Sequence, residues 1–251
     1  MMKIIAFDLD KTLLRDDKTV GEYTVNILNR LRELGSTLVV NTARSELFTA
    51  ELEFIPECDY YVYNGGALIK DAQGNTVFRE EIPAATVAKM ISDISRLTED
   101  FSVQTDNALY TSSARIARPE VQVFDFSSRP FDHSALKVLA KLESDDDMRA
   151  IAERYGVEAI TYVGGAWRRF NTLGTCKLSA MKVLCERLNV PLSDCIFFGD
   201  DYGDLDAIDG VGVGVLMKNA DDAHKTENRI VSDYTNDEEG VAKFLSTYFG
   251  L

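Results

Sequence analysis

The chain has 251 residues, 45% of them hydrophobic, which is enough to bury a substantial core and long enough for a core domain plus a smaller insertion. Its formal net charge of -14 argues against binding to nucleic acid or to an anionic membrane surface. No apolar run approaches the roughly 20 residues that a membrane-spanning helix needs, and no charged-then-apolar signal segment opens the chain. We therefore expect a cytoplasmic protein.

The four cysteines show no C-x-x-C pair. They lie within apolar or helical stretches, so buried, reduced thiols are expected rather than disulfides or a zinc site.

The first third of the chain alternates between strand and helix patterns. The predicted elements are strand 3–7, helix 20–34, strand 37–41, helix 46–54, strand 60–63 and a hairpin over 67–79. We expect Thr19 to cap the first helix and Gly35 to end it. Alternation of this kind predicts a parallel sheet.

The pattern changes in the middle of the chain and returns near its end. Residues 82–165 mix short strands with two helices, near 85–97 and 145–154. The later elements are predicted as helix 178–188, strands 195–198 and 211–216, and helix 238–248. We therefore predict a doubly wound, Rossmann-like parallel-sheet core domain from residues 1–81 and 166–251, with an inserted α+β cap domain at 82–165.

Two carboxylates, Asp8 and Asp10, follow the first predicted strand. In an open α/β sheet, ligands bind outside the carboxyl ends of the strands. Residues two apart on an extended chain point the same way, so Leu9 would point into the core and the two acids would repel each other. A hard divalent cation such as Mg²⁺ would remove that cost. The alternative is that both acids merely end the strand and face water.

Three further segments sit at strand ends or helix starts. Thr42 and Arg44 follow the strand at 37–41, Lys177 opens a helix, and the acidic segment Gly199–Asp204 follows an apolar strand. The helix dipole disfavours a cation at a helix start, so the position of Lys177 supports a functional role.

Together these segments make the chain resemble the haloacid dehalogenase superfamily, in its Cof-type phosphatase subgroup with a large α/β cap. Asp8–Thr12 is similar to the first family motif, Thr42 to the second, Lys177 to the third and Gly199–Asp204 to the fourth. Residues 63–67, which include Asn64, and residues 239–242 also resemble family segments. Gly203 stands where the family usually has Asn, and Asp201 stands where Gly is common.

The resemblance implies roles for these residues. Asp8 would be the nucleophile and Asp10 the general acid and base, with its proton affinity raised by neighbouring carboxylates. Mg²⁺ would be held by Asp8, by the backbone carbonyl of Asp10 and by Asp200. Asp204 would belong to the metal site by orienting a water or Lys177.

Other residues would contact the phosphoryl group or the substrate. Thr42 would donate to a phosphoryl oxygen, and Lys177 would face both the nucleophile and the phosphate. Thr12, Arg44 and Asn64 are candidate substrate-binding residues, although Thr12 also fits a role in fixing the backbone and Arg44 a surface salt bridge. The cap arginines would either read the leaving group or be ordinary surface charges; they are Arg115, Arg118, Arg129, Arg168 and Arg169.

The resemblance thus predicts a magnesium-dependent phosphatase. Its partner would be a small phosphorylated metabolite, such as a sugar phosphate, hydrolysed through an aspartyl phosphate. A sugar phosphomutase of the same superfamily is one alternative. A receiver-like binding module with a phosphorylated Asp is another, although receivers are about half this length and lack an insertion.

Overall fold

A computed structural model describes residues 3–50, 52, 56–112, 121–161 and 165–251. Three sequence-based assignments therefore fall wholly or partly outside the described residues. They are the end of the helix predicted at 46–54, the end of the inserted domain's last predicted strand at 157–162, and the cap arginines Arg115 and Arg118. Among the helices that the structure describes, none combines the length and the apolar character that crossing a bilayer requires.

The described strands and helices are numbered here in chain order. The strands are β1 (Ile4–Phe7), β2 (Thr37–Asn41), β3 (Tyr60–Tyr63), β4 (Leu68–Asp71), β5 (Thr76–Arg79), β6 (Phe101–Gln104), β7 (Leu109–Thr111), β8 (Val121–Val123), β9 (Lys137–Lys141), β10 (Val157–Thr161), β11 (Trp167–Thr172), β12 (Cys195–Gly199), β13 (Val213–Leu216) and β14 (Ile230–Val231). The α-helices are α1 (Glu22–Glu33), α2 (Glu46–Thr49), α3 (Ala84–Ile94), α4 (Asp145–Tyr155), α5 (Lys177–Leu188), α6 (Leu205–Gly210) and α7 (Gly240–Phe249).

The chain folds into two compact units, each with many contacts within itself. The first comprises Met1–Arg44, Phe48–Phe78 and Cys176–Leu251, and the second comprises Ser45–Leu47 and Arg79–Thr175. The sequence placed residue 166 onward in the core domain, whereas the structure keeps residues 166–175 with the second unit. The reason is β11, which pairs with β10 and β9. The strand carries two adjacent arginines, Arg168 and Arg169, so a search for hydrophobic alternation in the sequence does not identify it.

The first unit contains an eight-stranded sheet in the order β14-β13-β12-β1-β2-β3-β4-β5. The strands from β14 to β3 are parallel, and β4 runs antiparallel to β3. In the centre, Phe7 of β1 lies opposite Phe198 of β12 and Val40 of β2. The predicted parallel-sheet core is confirmed, and the carboxyl ends of these three strands meet at one edge.

Helices cover both faces of this sheet. Ile5 and Phe7 of β1 belong to a buried cluster with residues of α1 and α7. The alternate residues Ile4 and Ala6 belong to a second cluster with residues of α5 and α6. A strand that is buried on both faces can be apolar at every position, which is why β1 reads as a continuous hydrophobic run.

The second unit contains a six-stranded sheet in the order β10-β11-β9-β6-β7-β8. All of its pairings are antiparallel except that of β7 with β8. Helices α3 and α4 pack on one face, where Ile91 and Ile151 join Val103, Val138 and Phe170 in a single buried cluster. The mixture of antiparallel strands and helices matches the α+β character expected of the insertion.

Short or polar elements account for the remaining differences from the sequence-based prediction. The prediction lacked α6 and β14, which have six and two residues. Thr19 does not cap α1, because Gly21 occupies the N-cap and the Thr19 hydroxyl donates instead to Asp17.

The face of the second unit's sheet that carries Lys137 is polar. Lys137 opens β9 and is buried, and its cross-strand neighbour on β6 is Gln104. Burial, together with the smaller effect of the nearby Arg169 guanidinium, lowers the pKa of Lys137 to about 7. Folding therefore disfavours the protonated form of this lysine.

We predict that Lys137→Met stabilises the protein at neutral pH and that this advantage shrinks as pH rises. Because the folded pKa lies below the unfolded value, the unfolded chain binds more protons between about pH 7 and pH 10.4. Protonation therefore costs the parent stability at and below pH 7, and that cost disappears toward pH 10. Denaturation midpoints of parent and variant across this range measure the difference.

Lys141→Met is the matched control, since Lys141 lies on the same strand but is exposed. We expect its difference from the parent to stay nearly constant with pH. A constant difference for Lys137→Met would contradict the prediction.

Candidate active site

Three carboxylates from neighbouring segments meet at the carboxyl edge of the first unit's sheet. Asp8 directly follows β1, Asp200 directly follows β12, and Asp204 closes the next turn. All three are buried, and one oxygen atom of each lies within 4.8 Å of the others. The parallel pairing of β1 with β12 explains this meeting, because it places both strand ends side by side.

Lys177 supplies the cation of this cluster. It is the first residue of α5, and its ammonium lies 2.9 Å from Asp8 Oδ1 and 2.5 Å from Asp204 Oδ1. Burial alone would lower the pKa of Lys177, but the Asp204 and Asp8 carboxylates outweigh it and raise the pKa. Lys177 therefore stays protonated at neutral pH.

Both oxygens of Asp204 are already engaged. Oδ1 accepts from Lys177, and Oδ2 accepts from the backbone N–H groups of Asp200 and Asp201 at 3.1 and 3.0 Å. A side chain at Gly199 would prevent this arrangement, since its Cβ would lie 2.4 Å from the Asp204 Cβ. Asp204 therefore positions Lys177 and the backbone that carries Asp200.

Asp8 and Asp200 have raised proton affinity. Burial raises the pKa of Asp8 to about 6 against the opposing effect of Lys177. Burial, reinforced by the Asp8 and Asp204 charges, raises the pKa of Asp200 to about 8. Thr12 donates its hydroxyl to Asp200 Oδ1 at 3.1 Å, which favours the ionised form of Asp200 and fixes its orientation.

This donor set fits a hard divalent cation. Three carboxylates face one ammonium, so the buried cluster carries excess negative charge when all its acids are ionised. Oxygen donors are the ligands that Mg²⁺ prefers. Because Asp204 is occupied by Lys177 and by backbone donors, Asp8 and Asp200 are the side chains suited to direct coordination.

Asp10 lies outside this group of acids, although it is only two residues from Asp8. Its carboxylate accepts from Arg44 Nε and Nη2 at 2.6 and 2.7 Å and from Lys18 Nζ at 2.8 Å. Partial burial would raise the pKa of Asp10, but hydrogen bonds from Arg44 and Lys18 outweigh it and lower the pKa to about 2. The expected increase in the proton affinity of Asp10 is wrong for this structure, because its neighbours are cations.

Thr42 and Asn41 lie at the end of β2, beside β1. Thr42 is buried, and its hydroxyl oxygen accepts from the Arg44 N–H at 3.2 Å. The Asn41 side chain donates to the carbonyl of Lys177 at 3.1 Å. Asn41 thus ties the end of β2 to the start of α5, a function that the sequence did not reveal.

The segment around Asn64 supports the start of α5 from a second direction. Asn64 is buried in a left-handed backbone conformation, and its N–H donates to the Arg44 carbonyl at 2.7 Å. Gly66 has φ +113°, and a Cβ there would lie 2.3 Å from the carbonyl oxygen of Cys176. Only glycine permits this close approach.

Two further residues that contact the start of α5, Asp206 and Cys176, were not identified from the sequence. Asp206 Oδ2 accepts from the Leu178 N–H at 3.1 Å, and the Cys176 sulfur accepts from the Ser179 N–H at 3.4 Å. Both satisfy N–H groups that the first helical turn leaves without partners. Asp206 lies two residues beyond the last acid of the fourth motif, a position that no capping pattern in the sequence marks.

Other motif residues have structural roles. Asp201 caps the short turn Tyr202–Asp204 by accepting from the Tyr202 N–H, and Gly203 borders open space. Glu239 binds Thr24 and Arg15 and is not a member of the acidic cluster.

The described cap arginines differ in their surroundings. Arg168 pairs with Asp145, Arg129 covers the ring of Phe124, and Arg169 is buried near Lys137.

The chain matches the family of haloacid dehalogenase-like hydrolases over residues 5–245. It is 28% identical to the Bacillus subtilis 5-amino-6-(5-phospho-D-ribitylamino)uracil phosphatase YitU, over 99% of this chain and 98% of that protein. It is also 28% identical to the HMP-PP phosphatase of Citrobacter koseri, over 88% of this chain and 85% of the relative. The crystal structure of SMU.1108c from Streptococcus mutans UA159 shares the fold, with a TM-score of 0.86, 21% identity and full coverage of both chains.

We predict that Gly66→Ala impairs the site through the start of α5. The new Cβ must displace the backbone of Cys176, and with it Lys177. Phosphate release should fall at least tenfold, and the free energy of unfolding should fall by more than the ~1–2 kcal/mol that left-handed strain alone costs. Steady-state kinetics and denaturation midpoints check both effects.

Gly74→Ala is the matched control, since Gly74 has φ +81° with nothing within 4 Å of its added Cβ. It imposes the same kind of backbone strain without the collision. Equal losses in the two variants would contradict the role given to the Gly66 contact.

Proposed function

We propose that this chain, which belongs to the haloacid dehalogenase-like hydrolase family and is a phosphatase, hydrolyses the phosphate ester of a small metabolite. In the proposed reaction, Asp8 forms an aspartyl phosphate with the help of Mg²⁺. The observation that supports this most strongly is the buried cluster of Asp8, Asp200 and Asp204 around the Lys177 ammonium.

Asp8 has the properties of a nucleophile. With a pKa of about 6, its carboxylate is mostly ionised at neutral pH, and the Lys177 ammonium at 2.9 Å holds one of its oxygens. In the proposed reaction, an Asp8 oxygen forms a bond to phosphorus while the bond from phosphorus to the leaving oxygen breaks. Water then attacks the same phosphorus, the bond from phosphorus to the Asp8 oxygen breaks, and inorganic phosphate leaves with Asp8 restored.

Lys177 and the proposed metal offset charge on the phosphoryl group. Lys177 stays protonated, and Asp204 fixes its ammonium toward Asp8. Asp8, Asp200 and the backbone carbonyl of Asp10 would hold Mg²⁺, which when bound would neutralise charge on the transferred group. Thr12 would keep the Asp200 carboxylate oriented through its hydroxyl.

Asp10 would protonate the leaving oxygen and later accept a proton from the attacking water. In this structure Arg44 and Lys18 hold Asp10 ionised, with a pKa of about 2, so the carboxylate has no proton to donate and is only a weak base. We propose that these two ion pairs separate when substrate binds. Arg44 would then be available to contact a substrate anion, and Thr42 would donate to a phosphoryl oxygen.

The substrate proposal follows the relatives. Their names specify a phosphorylated ribitylaminouracil and HMP-PP, both small phosphorylated metabolites. We propose the same broad class for this chain, including sugar phosphates. Asn64, which is buried and whose N–H donates to the Arg44 carbonyl, is a candidate substrate contact. A panel of phosphorylated metabolites assayed with Mg²⁺ would identify the substrate.

We predict that hydrolysis of p-nitrophenyl phosphate requires a divalent cation and Asp200. Chelation should abolish phosphate release, and added Mg²⁺ should restore it. Asp200→Asn should lower kcat/KM by about a hundredfold or more and raise the Mg²⁺ concentration needed for half-maximal activity, because one ionised donor is lost. Full activity after exhaustive chelation would overturn the metal scheme.

Asp201→Asn serves as the matched control for that variant. Asp201 is the adjacent acid in the chain, but it caps a turn and lies outside the carboxylate group. Activity within about threefold of the parent is expected. An activity loss equal to that of Asp200→Asn would mean that activity depends on the total negative charge of this segment, and not on coordination of the metal by Asp200.

A second prediction separates the nucleophile from the acid and base. Asp8→Asn should abolish turnover and leave no hydroxylamine-labile phosphate on the protein. Asp10→Asn should still accept a phosphoryl group from acetyl phosphate, whose leaving group needs no proton, and should then retain it. With an alkyl phosphate, phosphorylation itself should slow by about a hundredfold or more.

Trapping with substrates radiolabelled in the phosphoryl group, followed by mapping to the tryptic peptide of residues 4–11, measures both steps. If Asp8→Asn turned over within about tenfold of the parent, the covalent scheme would be wrong. If Asp10→Asn slowed the phosphorylation of Asp8 by the same factor with acetyl phosphate and with an alkyl phosphate, Asp10 would not be the acid.

A further inference from the structure

Two cysteines lie in contact inside the first unit, on the side of the sheet covered by α5. Cys195 opens β12 and Cys185 lies on α5, with their sulfur atoms 3.4 Å apart. Both belong to the same buried cluster, and their side chains form a hydrogen bond with each other. No sequence pattern marks this pair, because the two positions are ten residues apart and no C-x-x-C motif is present.

One member of the pair can be reached from the surface. Cys185 is 6% exposed and lines an open surface cavity of about 420 Å³, together with Lys182, Asn189 and Pro191. Cys195 is completely buried behind it. A small oxidant can therefore meet Cys185 first, with Cys195 already in contact with the reacting sulfur.

The chemistry of the two thiols is also unequal. The hydrogen bond with Cys195 lowers the pKa of Cys185, whereas the same bond and burial raise the pKa of Cys195. Since the thiolate is the reactive form, Cys185 is the better nucleophile of the two.

We propose that Cys185 and Cys195 form an oxidation site at which a peroxide produces an intrachain disulfide between α5 and β12. The Cys185 sulfur attacks one peroxide oxygen, the oxygen–oxygen bond breaks, and water leaves, so that Cys185 becomes a sulfenic acid. The Cys195 sulfur then attacks the Cys185 sulfur, the sulfur–oxygen bond breaks, and a second water leaves with the Cys195 proton. Two electrons pass from the two sulfurs to one peroxide.

Formation of the Cys185–Cys195 disulfide requires only a small movement of the two sulfur atoms toward each other. A disulfide is about 2.05 Å long, so the sulfurs must approach by roughly 1.3 Å. Lys177 lies eight residues before Cys185, about 12 Å along the helix axis. Asp200 lies five residues after Cys195, about 17 Å along extended chain. The disulfide would therefore join the two elements that carry these residues without touching the carboxylate cluster.

The test oxidises the folded full-length chain with hydrogen peroxide and maps its thiols by mass spectrometry. Trypsin cleaves after Lys182, Arg187 and Lys218, so Cys185 and Cys195 fall on different peptides. We expect these two peptides to become linked with the loss of two hydrogens, and to separate after reduction. Cys58 and Cys176 should remain thiols in the same sample, although Cys176 is more exposed than either member of the pair.

Two variants identify the order of the steps. In Cys195→Ser, Cys185 should accumulate as a sulfenic acid that dimedone traps. In Cys185→Ser, Cys195 should stay reduced because the cavity no longer leads to a reactive thiol. The mapping of the parent chain stands by itself if either variant fails to fold.

Three results would overturn the proposal. They are modification of Cys176 before the pair, linkage of the two peptides only after denaturation, and a fall in the thermal midpoint of more than about 5 °C on linkage. A bond that fits the folded state should leave the midpoint equal or higher, because it restricts the unfolded chain. None of these measurements depends on enzyme activity, so the outcome is independent of the proposed function.

Discussion

The Lys177 ammonium, buried between the Asp8 and Asp204 carboxylates, is the interaction on which the site depends. Three carboxylates within 4.8 Å of one another would repel strongly without a cation among them. Removing one partner of a buried ion pair typically costs about 3–5 kcal/mol, because the remaining charge is left uncompensated. Lys177 therefore supports both the fold at this edge and the ionised state of Asp8.

Contacts from other chain segments to the backbone around Lys177 hold this residue in position. The helix dipole opposes a cation at the first position of α5. Asn41 binds the Lys177 carbonyl, Asp206 binds the next N–H, and Gly66 allows another chain segment to approach Cys176. These contacts come from three separate parts of the chain, and they fix the start of α5 where the ion pairs need it.

Asp8 and Asp10 show how quickly the environment changes at a strand end. The two carboxylates are separated by one residue, yet one has a pKa of about 6 and the other of about 2. Asp8 continues the ladder, since its N–H donates to the Phe198 carbonyl, whereas the chain turns sharply at Lys11, where φ is positive. The assumption that both acids point the same way holds for an extended chain, and the extended chain ends here.

The sequence by itself determined the core fold and the order of the motifs. Continuous apolar runs such as 4–7 and 195–198 mark strands buried on both faces, and alternation with helices makes the sheet parallel. Strand ends in such a sheet share one edge, so Asp8, Thr42 and Asp200 could be expected near one another. Local pattern is sufficient for these conclusions because each depends only on residues close in the chain.

Only the tertiary structure decided which charges pair. Arg44 and Lys18 surround Asp10, Lys177 divides its contacts between Asp8 and Asp204, and Cys185 meets Cys195. It also placed β11 in the second sheet, where two neighbouring strands satisfy a sequence that carries paired arginines. The physical reason is the same in each case: long-range packing sets which side chains meet at a distance of 3 Å, and no spacing in the sequence encodes it.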